Sequence, residues 1–94
     1  MRWLDEAIDD LVEHVEYVAR ESPRAARHIA ARIRSAGDEL GDFAIGRPGQ
    51  VPETYERVLA DLPYTIVYSL ESRTISILRV IHHAQRWPRS PEDQ

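Results

Sequence analysis

Apolar residues recur at helical spacing through the first 40 residues of the chain. In residues 4–20 they fall three or four positions apart and mark one face of a helix, at Leu4, Ala7, Ile8, Leu11, Val15 and Val18. A second stripe occupies residues 23–40, at Ala25, Ala26, Ile29, Ile33, Ala36 and Leu40. Ser22 and Pro23, between the two stripes, are typical of a helix start. So short a break predicts an antiparallel helical hairpin.

The apolar pattern changes to a period of two after a predicted loop at residues 41–52. Three β-like runs follow, at residues 54–60, 64–70 and 74–83, and short turns join them into a meander over residues 54–83. Neither helix can bury its stripe alone, so both should pack on one face of this sheet. The predicted fold class is α+β, an N-terminal antiparallel helical hairpin packed on one face of a three- to four-stranded antiparallel β-sheet.

Length and composition indicate a single domain over residues 1–94, with residues 84–94 as a polar C-terminal tail. There is no cysteine, which excludes disulfides and thiolate zinc sites. No apolar run approaches the ~20 residues that span a bilayer, and the N-terminus has no apolar signal region. We therefore expect a cytoplasmic protein without a membrane partner.

Charge is segregated along the chain, which has a net charge of −4. Residues 1–21 hold seven acids and two arginines, whereas residues 22–36 hold four arginines and no acid. Residues 73–89 hold four arginines, two histidines and no acid. A basic, aromatic strand end on an acidic protein is where we expect a functional surface. Arginine suits such a surface because it binds phosphates and carboxylates in a bidentate manner.

The basic strand end leaves several kinds of chemistry open. His82 and His83 are adjacent on a predicted strand, so they should point to opposite faces and cannot easily share a metal ion. His14 and His28 lie on predicted helices without a His-x-x-x-His partner, so we expect neither metal nor cofactor. A histidine here serves either as a general acid or base or as a structural group. Trp87 either packs over the sheet end or stacks on a base.

The order of elements and motifs resembles the RelE/ParE toxins of bacterial type II toxin–antitoxin modules. The resembling segments are Trp3 with Ala7, Asp10 and Leu11; residues 17–19; residues 22–26; Gly46 and Arg47; Pro63 and Tyr64; Val67 and Tyr68; residues 77–82; and residues 84–88. The ending Ile-His-x-Ala-x-x-Trp-Pro is similar to the ParE-like branch. The resemblance implies a toxin that supports plasmid stabilization.

Two features depart from the family pattern. Only Met1 and Arg2 precede Trp3, so either residues 1–2 are a remnant of the family's first strand, which is then very short or missing, or the true start lies upstream. A short sheet edge of this kind is a place where a partner strand can bind. The sequence Thr54-Tyr55-Glu56 stands where many relatives carry Thr-Arg-Glu, which weakens any inherited phosphate contact from this strand.

The resemblance leaves three functions open. A ParE-like toxin binds and inhibits DNA gyrase, a RelE-like toxin is a ribosome-dependent mRNA endonuclease, and a catalytically silent member only binds its antitoxin. A nuclease that works on the ribosome and mRNA is usually basic, whereas the isoelectric point here is near 5.5. The sequence therefore favours the gyrase inhibitor. All three readings include a ParD-like antitoxin and a toxin–antitoxin hetero-oligomer.

Each reading has its own candidate residues. A metal-independent nuclease would use Arg57, Arg79, His83 and Arg86 as base, acid and phosphate ligands, provided that they converge. The target-binding candidates are Arg79, His82, His83, Arg86, Trp87 and Arg89. The arginines Arg79 and Arg86 contact either phosphate or acids of a partner protein. The antitoxin-binding candidates are Arg24, Arg27, Arg32 and Arg34 on the second helix and Asp9, Glu13 and Glu16 on the first.

Overall fold

Two helices pack on one face of a five-stranded sheet in the computed structural model, which describes residues 1–44 and 46–88. Helix α1 is Asp5–Ala19 and helix α2 is Pro23–Glu39, each within one residue of the range predicted from the apolar stripes. The Ser22 hydroxyl accepts the Ala25 N–H at 3.1 Å and caps α2. No helix in this part of the chain is long and apolar enough to cross a membrane.

The five strands form one mixed sheet in the order β1-β5-β4-β3-β2. Their bounds are Arg2–Trp3 for β1, Arg47–Pro48 for β2, Tyr55–Val58 for β3, Tyr64–Glu71 for β4 and Thr74–His82 for β5. Strands β3 to β5 pair antiparallel, as predicted, β2 pairs antiparallel with β3, and β1 pairs with β5 in parallel. The predicted α+β class, a helical hairpin on one face of the sheet, is confirmed, but the sheet has five strands instead of three or four and is mixed instead of antiparallel. A parallel neighbour is feasible because the whole helical hairpin crosses over between β1 and the rest of the sheet.

The two short strands explain the difference in strand number. Strand β1 is the very short first strand that the sequence indicated, and its partners are Ser76 and Ile77. Strand β2 lies inside residues 41–52, which were predicted to be a loop. Pro48 pairs with Tyr55 at the sheet edge, where a strand proline is tolerated. A strand of only two residues cannot show a period-two pattern, so neither β1 nor β2 has a sequence signal of its own.

A bulge in β5 sets the direction of the last side chains. Val67 pairs with Arg79 and Tyr68 pairs with Ile77, so Leu78 is an extra residue on β5. Ile77 and Val80 therefore both lie in the core, three positions apart, and simple alternation fails between them. Such bulges re-aim side chains near functional surfaces. The consequence is that Arg79 leaves the core face, where Ile77 would otherwise have placed it.

The core lies between the helices and the sheet. Its largest fully buried side chains are Tyr68, Ile33, Leu40, Ile66, Ile77, Val67 and Val80. Tyr64, Ile66 and Tyr68 alternate along β4 and share its helix-facing side. The predicted stripe of α1 is only partly buried, because Ile8 is 44% exposed although the spacing placed it inside.

Gly37 gives the short first strand a firm contact with α2. A Cβ at this position would overlap Trp3 Cζ2, so only glycine fits beneath the rigid indole. Alanine normally stabilises a helix by about 1 kcal/mol relative to glycine. We expect the opposite here: Gly37→Ala should lower the free energy of unfolding by about 1–3 kcal/mol through overpacking.

Urea unfolding followed by circular dichroism measures that effect. Ser35→Ala, at an exposed position on the same helix, is the matched control and should leave stability unchanged or slightly higher. If the Gly37→Ala protein is as stable as the Ser35→Ala protein, the Trp3 indole does not exclude a side chain at position 37.

Candidate functional site

The Asp10 carboxylate on α1 binds strand β5 beyond the residues that pair with β1. Asp10 Oδ2 accepts a hydrogen bond from Arg79 Nε at 2.7 Å, and Oδ1 accepts one from Nη2 at 3.0 Å. Oδ2 also accepts the backbone N–H of Val80 at 2.9 Å. The Asp10 hydrogen bonds raise the pKa of the Arg79 guanidinium. Arg79, predicted to contact phosphate or a partner's acid, thus already pairs with a carboxylate of its own chain.

His14 completes this attachment one helical turn further along α1. Its Nε2 lies 3.0 Å from the carbonyl oxygen of Val80, and because a carbonyl only accepts, Nε2 carries the proton. Asp10 and His14 together satisfy both backbone groups of Val80, as a neighbouring strand would. Sequence reasoning missed this role and considered His14 only as a metal ligand. The i, i+4 spacing of the pair was visible, but its contact 66 residues away was not.

The turn after β5 is closed by hydrogen bonds around His82. The His82 N–H donates to Gln85 Oε1 at 2.7 Å, and the Gln85 N–H donates to the His82 carbonyl at 2.8 Å. His82 Nδ1 accepts the Ala84 N–H at 2.9 Å. Burial lowers the pKa of His82, and the nearby His14 and His83 lower it further, so the ring is neutral at pH 7. The sequence had not indicated that this turn is structured.

His82 and His83 lie on opposite faces of the sheet, as predicted. The His82 ring packs edge-on against Tyr64, with centroids 5.1 Å apart, on the helix side. His83 Nε2 lies 3.1 Å from Thr65 Oγ1, on the other side of β4. His83 and Thr65 line a cavity of about 330 Å³, together with Trp87 and the buried Glu56. The two histidine side chains therefore make their contacts on opposite faces of the sheet, although His82 also borders this cavity.

Trp87 lies over the sheet end with one polar atom unused. Its ring centroid is 5.4 Å from Arg79 Cζ, a distance typical of a cation–π contact. Its indole nitrogen, Nε1, is buried and has no hydrogen-bond partner among residues 1–44 and 46–88. Buried donors are normally satisfied, so this N–H is an exception within the described part of the chain.

The four nuclease candidates do not converge. Arg57 points to the helix side, where Nη1 donates to the Ala36 carbonyl at 2.6 Å and Nη2 donates to Glu39 at 2.9 Å. His83 lies on the opposite face of the sheet. Arg86 is exposed after the turn, and Arg79 pairs with Asp10. The condition that the sequence analysis set for RNA cleavage is therefore not met in this arrangement.

The antitoxin-binding candidates are spread over the outer surface of the hairpin. Exposed members are Arg24, Arg27 and Arg34 on α2 and Asp9, Glu13 and Glu16 on α1. Arg32 differs, because its Nε donates to Asp61 at 2.7 Å and this contact lowers the pKa of Asp61. Among the described ion pairs, none joins the acidic α1 to the basic α2.

An apolar strip accompanies these charges on α1. Ile8 is 44% and Val12 is 47% exposed, and Ile8 borders a groove of about 260 Å³ with Trp3, Leu11 and Arg34. Arg89, the last target-binding candidate, lies outside the described residues. Within the described ranges, no group of three or more metal-ligating side chains comes together.

Comparison with known proteins places the chain in a family. The family model described as "ParE toxin of type II toxin-antitoxin system, parDE" matches residues 1–87. Y4kP of Sinorhizobium fredii, which carries the name of a toxin, is 44% identical over 89 residues, covering 94% of this chain and 92% of the relative. Toxin RelE2 of Caulobacter vibrioides is 29% identical over 83 residues, covering 88% and 93%.

A solved structure agrees in fold. A chain of the chromosomal ParDE TA system from P. aeruginosa superposes with a TM-score of 0.79 at 26% identity, covering 86% of this chain and 91% of that one. The two-helix hairpin on a sheet is therefore shared with that system. Together with the family match over nearly the whole chain, this shows that the protein belongs to the ParE toxin family of type II toxin–antitoxin systems.

Proposed function

We propose that this ParE-like toxin acts in the cytoplasm by binding and inhibiting DNA gyrase, and that a cognate ParD-like antitoxin neutralises it. The target-binding region is the C-terminal surface, which we define as His82, His83, Arg86 and Trp87. This surface is held in one arrangement by the hydrogen-bonded turn at His82 and by the contact between Arg79 and Trp87. A pre-organised surface loses little freedom on binding a partner, which favours recognition of a protein.

The positions of Arg57 and His83 are the main reason for proposing a binding function instead of catalysis. Arg57 and His83 lie on opposite faces of the sheet, so they cannot both reach one phosphate group. Acid–base cleavage of RNA requires its groups within hydrogen-bond reach of the same reacting atoms. The net charge of −4 also disfavours approach to the ribosome's phosphates.

A supercoiling assay tests the proposed target. Purified toxin is incubated with gyrase, ATP and relaxed plasmid, and the topoisomers are separated on an agarose gel. Loss of supercoiling or trapping of cleaved DNA at a toxin concentration near that of gyrase supports the proposal. Full supercoiling at a large excess of folded toxin rejects gyrase as the target.

The antitoxin is proposed from the family and from the charge of α2. The matched P. aeruginosa structure is that of a ParDE system, and a toxin–antitoxin hetero-oligomer is the corresponding proposal for this chain. Arg27 and Arg34 are exposed on α2 and form none of the described ion pairs. They are therefore available to carboxylates of a partner, unlike Arg32, which pairs with Asp61.

Charge reversal on α2 should weaken antitoxin binding. We expect Arg27→Glu/Arg34→Glu to raise the Kd for the antitoxin encoded beside this toxin by about tenfold or more, equivalent to about 1.4 kcal/mol. Titration calorimetry at 150 mM salt measures it. Arg47→Glu/Arg73→Glu makes the same change of charge on other exposed positions and should alter the Kd less. Equal effects of the two pairs would mean that only net charge matters.

A further inference from the structure

A cavity between α1 and the turn after β5 is lined by residues that suit the binding of a cationic side chain. It measures about 520 Å³, lies on the helix side of the sheet and adjoins the cavity at His83, with which it shares His82 and Gln85. Its lining residues are Glu13, His14, Glu16, Tyr17, Val18, Arg20, Tyr64, His82, Ala84 and Gln85. Space for a side chain, aromatic walls and carboxylates therefore occur together here.

The floor of this cavity is aromatic. The buried ring of Tyr64 clusters there with two imidazoles, and its centroid is 5.1 Å from those of His14 and His82, which are 6.3 Å apart. Tyr17, on the outer wall, is 71% exposed. The faces of tyrosine rings attract cations, and several rings around one cavity strengthen the attraction.

Charge selects a cation over an anion. Glu13 and Glu16 contribute two carboxylates to the lining, whereas Arg20 contributes one guanidinium. Arg20 is held against the ring of Tyr17, with Cζ 5.9 Å from the centroid, which shows that this ring accepts a guanidinium. His14 and His82 already use one ring nitrogen each within the protein, and the lowered pKa of His82 keeps that ring uncharged at pH 7.

We propose that this cavity receives an arginine side chain of the antitoxin, with its guanidinium stacked on the exposed ring of Tyr17 and paired with Glu13 and Glu16. Arginine suits the site better than lysine because its planar guanidinium stacks on a ring and binds a carboxylate in a bidentate manner. The identity of the partner rests on the proposed function, whereas the chemistry of the cavity does not. His82, Ala84 and Gln85 form one wall, so the occupant contacts the turn that leads to the C-terminal surface.

The cavity can be tested without the antitoxin. Uniformly ¹⁵N-labelled full-length toxin is titrated at pH 7.5 with n-butylguanidinium, a mimic of the arginine side chain, and amide shifts are followed by NMR. We expect saturable shifts at Tyr17, Val18, Ala84 and Gln85. Butyrate and the neutral butyramide are the matched anion and uncharged probes and should give no saturable shifts there.

Charge-removing variants complete the test. Glu13→Gln/Glu16→Gln should raise the Kd for n-butylguanidinium at least fivefold, whereas Asp5→Asn/Asp9→Asn, the same change on exposed positions of α1 outside the cavity, should not. No saturable shift, equal shifts with butyramide, or stronger shifts with butyrate would each overturn the cation site.

A separate measurement assigns the occupant. Glu13→Gln/Glu16→Gln should weaken binding of the neighbouring-gene antitoxin at least fivefold and leave inhibition of gyrase by the free toxin unchanged. Unchanged antitoxin affinity would reject the antitoxin as occupant even if n-butylguanidinium binds. A failure of the gyrase assay alone would affect the proposed target and leave both of these results in place.

Discussion

Asp10→Ala should lower the free energy of unfolding by about 2–3 kcal/mol, the largest stability effect we expect from a single polar side chain of this protein. The substitution leaves the half-buried guanidinium of Arg79 without its bidentate partner and the N–H of Val80 without an acceptor. Removing one partner of a buried pair costs about 3–5 kcal/mol, and partial exposure of Arg79 to solvent reduces that figure. At this chain length, the melting temperature should fall by about 10 °C or more.

A double-mutant cycle separates the ion pair from the backbone contact. Asp10→Asn retains an oxygen that can accept the Val80 N–H and should lose less stability than Asp10→Ala. In Asp10→Ala/Arg79→Ala, no unpaired charge remains, so the two single effects should not add and the coupling should be about 1 kcal/mol or more. Additive effects, measured by urea unfolding, would mean that the salt bridge between α1 and β5 contributes nothing.

Trp87→Phe should weaken binding to the target by about tenfold while leaving the free toxin as stable as before. The substitution keeps an aromatic ring beside Arg79 and removes the buried N–H that has no acceptor within the described residues. An unsatisfied buried donor costs free energy, so its loss cannot destabilise the free protein through hydrogen bonding. If the target supplies the acceptor, the same loss costs the complex about 1.4 kcal/mol.

The stability of the free toxin is therefore expected to stay the same while its affinity for the target falls. Thermal unfolding gives the first quantity, and the toxin concentration that halves gyrase supercoiling gives the second. Trp87→Ala serves as the comparison, because it also removes the ring that lies against Arg79 and should lower both stability and affinity. A Trp87→Phe protein that inhibits as well as the wild type would show that the indole N–H faces no acceptor in the complex.

The helices and the three long strands were predictable because each follows a repeating apolar pattern. Buried side chains of α2 such as Ile33 and Ala36 lie at helical spacing, and Tyr64, Ile66 and Tyr68 alternate along β4. The cap at Ser22 was predictable for a local reason, since its bond to the Ala25 N–H spans three residues. These features depend on neighbours in sequence, which a single chain displays directly.

The features that sequence reasoning missed depend on contacts between distant residues. Strand β2 contains two residues, too few for any periodicity, and the equally short β1 was indicated only by the family resemblance. The extra residue at Leu78 interrupts the alternation of β5 without a glycine or proline to announce it. Asp10 was noted in the sequence only as part of the family resemblance. Its hydrogen bond to the Val80 N–H joins positions that are 70 residues apart.

In the candidate site, too, features set by neighbouring residues were predictable and features set by distant contacts were not. Alternation correctly placed His82 and His83 on opposite faces, because it needs only neighbouring positions. It could not show that Arg57 would be held at the C-terminal end of α2 by Glu39 and the Ala36 carbonyl. Nor could it show that α1 would supply a carboxylate to Arg79. Convergence of side chains is a tertiary property, so a list of suitable residue types did not establish a catalytic site.

A paired assay with one preparation of toxin tests most directly whether this protein binds a protein target or cleaves RNA. The toxin is added in parallel to gyrase with relaxed plasmid and to a translation extract programmed with a defined mRNA. Our account predicts that supercoiling stops while primer extension finds the mRNA intact. Cleavage of the mRNA between codons in the presence of ribosomes, with gyrase fully active, would contradict it.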